Sequence, residues 1–342
     1  MDLLRVLLRG ESVIDFKRLA LTDLEAVDEF LRVQEYRPDE PADRIRMEAI
    51  KREAIGYLRR NFEYPIPRSV AEATVEELFL LASGKGHKQV CACVILKAMH
   101  VIHHLQGREL LSMLPLSDAE VFHLVEGKVY RVLGEMLAQA LPITEFLGGR
   151  KNRDSLYTKL LSKSETIAAQ IYDKVRFRVV ARTPEDVLPV ANYLARKLFP
   201  YNYVIPGESK NTLVRPRELA ERFPSFGVLL SAAGMGDELV SALVDNRFSA
   251  PSYRVIHFVV DMPVRVGPEV LRKAPPAALD LGAVVFVLVE FQLVDQATEL
   301  KNESGDASHA RYKDRQRLAV KDRLRLGAQS PGRRSQHPPP KK

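Results

Sequence analysis

Cysteine is almost missing from this chain of 342 residues, which has only Cys91 and Cys93. Their i, i+2 spacing on an apolar, helix-patterned stretch suits neither a disulfide nor a metal site. They read as core residues of a protein in a reducing compartment, the cytoplasm. Long apolar runs are missing as well. None approaches the roughly 20 residues a membrane span needs, so no membrane partner is expected. The opening "MDLLRVLLRGESVIDF" is interrupted by Arg5 and Arg9 and has no small-residue cleavage site, which argues against a secretory signal. No internal repeat is found. An apolar content of 46% and a charged content of 28% are those of a globular chain with room for a real core.

The body also lacks an excess of positive charge. Residues 306–342 hold eleven Lys and Arg against three Asp, a net +8, while the whole chain is +7, so residues 1–305 carry −1. The basic isoelectric point belongs to the C-terminal segment. A chain-wide nucleic-acid surface is therefore not indicated, although RNA remains a candidate partner for the basic end.

Residues 1–145 read as an all-α region. "TDLE" at 22–25 and "SDAE" at 117–120 have the form of capping boxes. Apolar residues recur at three- and four-residue spacing over 39–63, 74–83 and 87–105. The pattern then changes. A helix is expected over about 153–171, then a strand at "VRFRVVA", and an amphipathic helix at "PEDVLPVANYLARKLF" with Pro184 in its first turn. Further strands are expected at "NYVIP", "YRVIHFVV" and "AVVFVLVEFQLV". The last is apolar on both faces for seven residues, as in a central strand covered on both sides. The order predicts an α+β fold with a mixed sheet over 146–326, a helical insertion at about 212–250, and a disordered basic tail at 327–342.

Two acids stand at edges of the expected sheet: Asp173 just before "VRFRVV", and Glu290 at the end of "VVFVLV". A carboxylate half-buried at a strand end needs a cationic partner. Mg²⁺ is one, since it takes one or two carboxylates plus substrate phosphate oxygens. A neighbouring Arg176 or Arg178, or water, is the alternative. "KNRDSLYTK" sets Lys151, Ser155 and Lys159 at i, i+4, i+8 on one helix face, which suits a polyphosphate or a plain solvated surface. "YRVIH" is read as placing Tyr253 and His257 on one strand face, suited to a base and a phosphate, or to an ordinary half-buried strand. His100, His103 and His104 are read as structural, because Val101 stands where a helical zinc site would carry glutamate.

Together these segments resemble the synthetase domain of RelA/SpoT-type alarmone synthetases, which has a nucleotidyltransferase-like fold. Lys151, Ser155 and Lys159 match the family's K-x-x-x-S-x-x-x-K helix, and "DKVRFRVV" supplies the acid of D-x-x-G-x-R-V-I as Asp173 and its arginine as Arg178. "SYRVIH" is similar to G-Y-x-S-L-H, and "EFQL…ESGDASHARYK" to E-V-Q-I-R-T followed by E-x-G-x-A-A-H-x-x-Y-K. The resemblance covers about 148–313. It implies transfer of pyrophosphate from ATP to the 3′-hydroxyl of a guanine nucleotide. Asp173 and Glu290 would hold Mg²⁺, and Glu290 would assist deprotonation of the attacking hydroxyl. Lys151, Ser155, Lys159 and Arg178 would bind ATP phosphates. Tyr253, His257, Lys210, Asn211, Gln292 and His309 would bind the acceptor. The chain departs from the pattern at Arg176 and Ser252, where the family has glycine, and at Val294 and Asp295, where it has Arg-Thr. The segment between "SKN" and "SYR" is also long. No His-Asp dipeptide occurs, so the family's hydrolase site has no counterpart. The alternatives are transfer to an adenine nucleotide or an RNA 3′ end, or an inactive nucleotide-binding regulator. A homo-oligomer is compatible with any of these.

Overall fold

The structure, a computed structural model, describes residues 19–150, 153–162, 175–205, 208–214 and 252–328. The expected insertion lies outside the described residues from 215 on, and the expected tail from 329 on. The described residues form two units: 19–150 with 175–214 and 254–299, and 153–162 with 252–253 and 300–328.

Side chains set where the first helices start. Asp23 caps α1 (Leu24–Val33) by accepting the Ala26 N–H at 2.9 Å. The "TDLE" stretch therefore caps one residue later than expected, and Thr22 donates to Asp23 instead. After α2 (Pro41–Phe62) and the short α3 (Arg68–Ala71), a Thr74–Glu77 box opens α4 (Val75–Ser83). Helix α5 runs from His87 to Met113, and the expected Ser117–Glu120 box opens α6 (Asp118–Ala138). Strand β1 (Ile143–Arg150), helix α7 (Arg153–Ser162) and strand β2 (Val175–Ala181) follow. A 3-10 turn at Pro184–Asp186 leads into α8 (Val187–Lys197). Then come β3 (Lys210–Asn211), β4 (Ile256–Arg265), the short α9 (Pro268–Leu271) and α10 (Pro276–Leu279), and β5 (Val284–Asp295). Helices α11 (Gln296–Glu303) and α12 (His309–Ala328) complete the described chain.

The fold is α+β, with a five-stranded mixed sheet in the order β1-β2-β5-β4-β3. β5 is central, parallel to β2 and antiparallel to β4. Its Val, Phe and Leu residues suit a strand covered on both faces. Three sequence expectations need correction. "NYVIP" begins in a 3-10 turn at Tyr201–Tyr203 and, among the described residues, forms one bridge, from Val204 to Val260, in place of a strand. β4 begins at Ile256, so Tyr253 precedes the strand and shares no strand face with His257. β1 is an edge strand where none was expected, since the Gly148–Gly149 pair breaks the strand pattern. The helix expected over 153–171 is described to Ser162, and its remainder lies outside the described residues.

Within the first unit there are two hydrophobic cores. One gathers α1 to α4 and the N-terminal half of α5 around Ile50, Leu78 and Ile95. The other joins α6, α8 and the end of α5 to one face of the sheet. Helix α5 runs through both. It is long and apolar enough by composition to cross a membrane, but Leu96, Met99 and Leu110 are buried in protein cores. Gly107 brings α5 close to β5: a Cβ there would lie 2.5 Å from the Phe286 ring and 2.9 Å from the Val284 carbonyl oxygen. Lys128 of α6, a buried side chain, donates to the Val33 and Pro263 carbonyls and pairs with Glu35 at 2.8 Å. Burial holds its ammonium below the ordinary lysine range.

In the second unit α7 packs on α12, and the Arg323 guanidinium donates to the Leu161 carbonyl at 3.0 Å.

Candidate active site

Strand periodicity divides β5 cleanly. Val289, Phe291 and Leu293 point into the sheet core, where Phe291 lies 5.8, 5.1 and 5.6 Å from the rings of Phe177, Phe199 and Phe258. Glu290 and Gln292 therefore point to the opposite face. Registry sets their neighbours on that face. Gln292 lies beside Arg178 of β2 and opposite His257 of β4, and His257 is paired in turn with Lys210 of β3. One rung across four strands thus reads Arg178, Gln292, His257, Lys210. The next carries Arg176, Glu290 and Val259. The end of this face toward Phe286 is roofed by α5, whose His104 stacks on the Phe286 ring at 4.6 Å.

Glu290 is only 5% exposed, and a carboxylate that deep requires donors. Its Oε1 accepts the Gln292 amide N–H at 2.6 Å and faces His257 Nε2 at 3.2 Å. An ionised carboxylate accepts only, so His257 presents N–H at Nε2. Arg178 Nε and Nη2 donate to Gln292 Oε1 at 3.0 and 2.8 Å, and Nη1 pairs with Glu299 at 2.5 Å. Glu299 was not singled out from the sequence. It lies one turn along α11 from Asp295, whose Oδ1 accepts the Thr298 N–H at 3.0 Å and caps that helix. Asp295, which stands where the family pattern has threonine, begins the turn that brings Glu299 to Arg178.

The structure thus brings Arg178, Lys210, His257, Glu290 and Gln292 onto one sheet face. Asn211, paired with Ile256, points the other way, and its amide bonds the backbone of Leu213 and Val214. In the other unit, Ser155 and Lys159 sit one turn apart on α7. Tyr253 is half-buried, and α12 begins at His309, whose side chain is outside the description. Asp173 and Lys151 lie outside the described residues. Parallel pairing of β2 with β5 starts at Arg176 and Glu290.

Among the described residues no group of three His, Cys, Asp or Glu side chains is placed to hold a metal. The Glu290 carboxylate does fit a hard cation that takes its remaining ligands from phosphate and water. The α5 histidines form a separate polar cluster. His104 Nε2 pairs with buried Asp261 at 2.7 Å, while burial pushes His100 down to about 4 and His103 down to about 3.

No family model matches the sequence, and no curated protein matches it. Solved structures do. Small alarmone synthetase 1 from Bacillus subtilis is 15% identical over 61% of this chain and 88% of its own, with a TM-score of 0.33. The same enzyme bound to its product pppGpp gives 0.35. A GTP pyrophosphokinase family protein from Streptococcus pneumoniae is 15% identical over 61% of this chain and 87% of its own, with a TM-score of 0.30. The chain is similar to small alarmone synthetases.

Proposed function

We propose that the protein is a Mg²⁺-dependent pyrophosphokinase that transfers a pyrophosphoryl group from ATP to the 3′-hydroxyl of a guanine nucleotide. The observation that carries this reading is the buried Glu290 carboxylate, set beside His257 and Gln292 and one rung from Arg178 and Lys210. An acid among cations and neutral donors on a rigid strand suits a reaction that needs positioning and charge screening more than covalent help.

In the proposed step the acceptor oxygen bonds to the β-phosphorus of ATP, the α–β anhydride breaks, and AMP leaves with its electron pair. Glu290 takes the hydroxyl proton. His257, fixed as a donor at Nε2, holds the carboxylate against rotation. Lys210 offers an ammonium to phosphate at the acceptor end of the rung. Arg178 places positive charge at the opposite end, beside β2. Mg²⁺, when bound at Glu290, would screen the phosphate oxygens and polarise the group in transfer. The motif resemblance adds Asp173 as its second carboxylate.

The test is incubation of the purified protein with γ-labelled ATP, Mg²⁺ and, in separate reactions, GDP, GTP, ATP or tRNA. Label on a guanine nucleotide is expected. Label on a 3′-pyrophosphorylated adenine nucleotide, resolved from the donor ATP, or on tRNA would overturn the acceptor assignment, and nucleotide binding without transfer would overturn the enzyme.

A further inference from the structure

Gln292 is the residue on this face whose chemistry is most fully determined. Arginine only donates, so the amide atom facing Arg178 is the oxygen. An ionised carboxylate only accepts, so the atom facing Glu290 is the nitrogen. The oxygen receives two bonds from Arg178, at 3.0 and 2.8 Å, and the nitrogen gives one to Glu290 at 2.6 Å. Three of the amide's four hydrogen-bonding positions are therefore engaged inside the protein, which leaves little of it for a nucleotide. At 9% exposure it is also nearly enclosed.

This amide bonds a charged group at each of its ends. On one side the Arg178 guanidinium is anchored to Glu299 of α11. On the other, Glu290 Oε1 is shared between Gln292 and His257. The result is a continuous strip across three strands and a helix: Glu299, Arg178, Gln292, Glu290, His257. Two donors on one oxygen restrict rotation of the carboxylate. A guanidinium on the far side of the amide polarises its N–H toward Glu290.

We propose that Gln292 is a positioning residue, not an acceptor ligand: it holds Glu290 in its reactive orientation and couples that orientation to Arg178. The inference deepens the pyrophosphokinase reading and rests on it for the word reactive, while the coupling itself does not depend on turnover.

Two substitutions separate the two ends of the amide. Gln292→Glu keeps an acceptor for Arg178 and replaces the donor to Glu290 with a second carboxylate. Gln292→Leu removes both links at similar volume. In the full-length protein, with far-UV spectra and melting curves to confirm folding, Gln292→Glu should lower kcat for label transfer about 10- to 100-fold. Its KM for ATP should stay within about threefold of wild type, and the acidic limb of its pH–rate profile should move to higher pH. Gln292→Leu should lower kcat and also raise KM, without that upward move. In the absence of nucleotide, ¹⁵N NMR of the Arg178 guanidinium, which gives two bonds to Gln292 Oε1, should show shifted resonances and faster exchange in Gln292→Leu and near wild-type protection in Gln292→Glu. Wild-type kcat in Gln292→Glu, or unaltered Arg178 resonances in Gln292→Leu, would overturn the role of Gln292. Absence of transfer by wild type would instead sink the pyrophosphokinase reading, and the Arg178 resonances would still decide the coupling.

Discussion

On one side of β5, Val289, Phe291 and Leu293 are sealed against Phe177, Phe199 and Phe258, while on the other Gln292 meets Arg178 and Glu290 meets His257. The two sets alternate along one strand, so adjacent residues serve opposite ends. The apolar face fixes where the strand lies, and the polar face inherits that position without contributing much stability of its own. Buried charge on the second face is tolerated because Glu290 and Arg178 have partners at hydrogen-bond distance. Stability and chemistry should therefore be separable at neighbouring positions.

Neighbouring substitutions give the largest expected effects. Glu290→Gln should lower transfer about 10³-fold and leave the melting temperature within about 2 °C of wild type. Phe291→Ala should instead destabilise the fold by about 3–5 kcal/mol, since Phe291 is 0% exposed and its ring packs on three others. Its folded fraction should keep transferring label. Equal losses of stability in both variants would break the division between the faces.

Acid should act on the part of the molecule away from Glu290. His100 and His103 have folded values of about 4 and about 3, below the unfolded 6.5. Their contribution is complete above pH 6.5 and is lost as pH falls through the window toward those values, because the unfolded chain takes up protons first. Denaturant unfolding should show a loss of about 2 kcal/mol between pH 7 and about pH 5.5. A flat profile would mean that these rings are hydrated. The smallest effect sharpens the boundary between the helical core and the sheet. Gly107→Ala should cost about 1–2 kcal/mol by forcing α5 off Phe286 and Val284, with kcat reduced less than about threefold.

Much of the fold can be read from local pattern, and the reason is visible at particular residues. The run from Val284 to Asp295 has no polar residue before Glu290, so its central place in the sheet follows from composition alone. The Ser117 box needs only four residues to be recognised, and it forms as expected. What could not be read depends on partners distant in sequence. β1 contains two glycines. Gly148 is suited to its place because a Cβ would lie 2.9 Å from the Phe177 ring, a contact made only once β1 and β2 pair. Val204 has strand propensity, yet among the described residues its one β-bridge is to Val260.

The candidate site divides in the same way. Glu290, His257 and Arg178 carry recognisable chemistry at recognisable spacing. Glu299 does not: its role comes from a helix started by Asp295 and aimed at β2. The motif resemblance places Asn211 with Lys210, yet neighbours along a strand face opposite ways. Gln292 is assigned to the acceptor by the motif resemblance alone. Its two engaged ends become evident only when the register of β2 against β5 is known.

The most direct measurement of the central claim is product stoichiometry: the nucleotide released from ATP for each labelled acceptor formed by the wild-type protein with Mg²⁺ and GTP or GDP. Cleavage of the α–β anhydride predicts one AMP per labelled guanine nucleotide, with neither ADP nor pyrophosphate accumulating. Release of ADP would mean transfer of a single phosphoryl group, and release of pyrophosphate would mean transfer of a nucleotide. Either would contradict pyrophosphoryl transfer on this sheet.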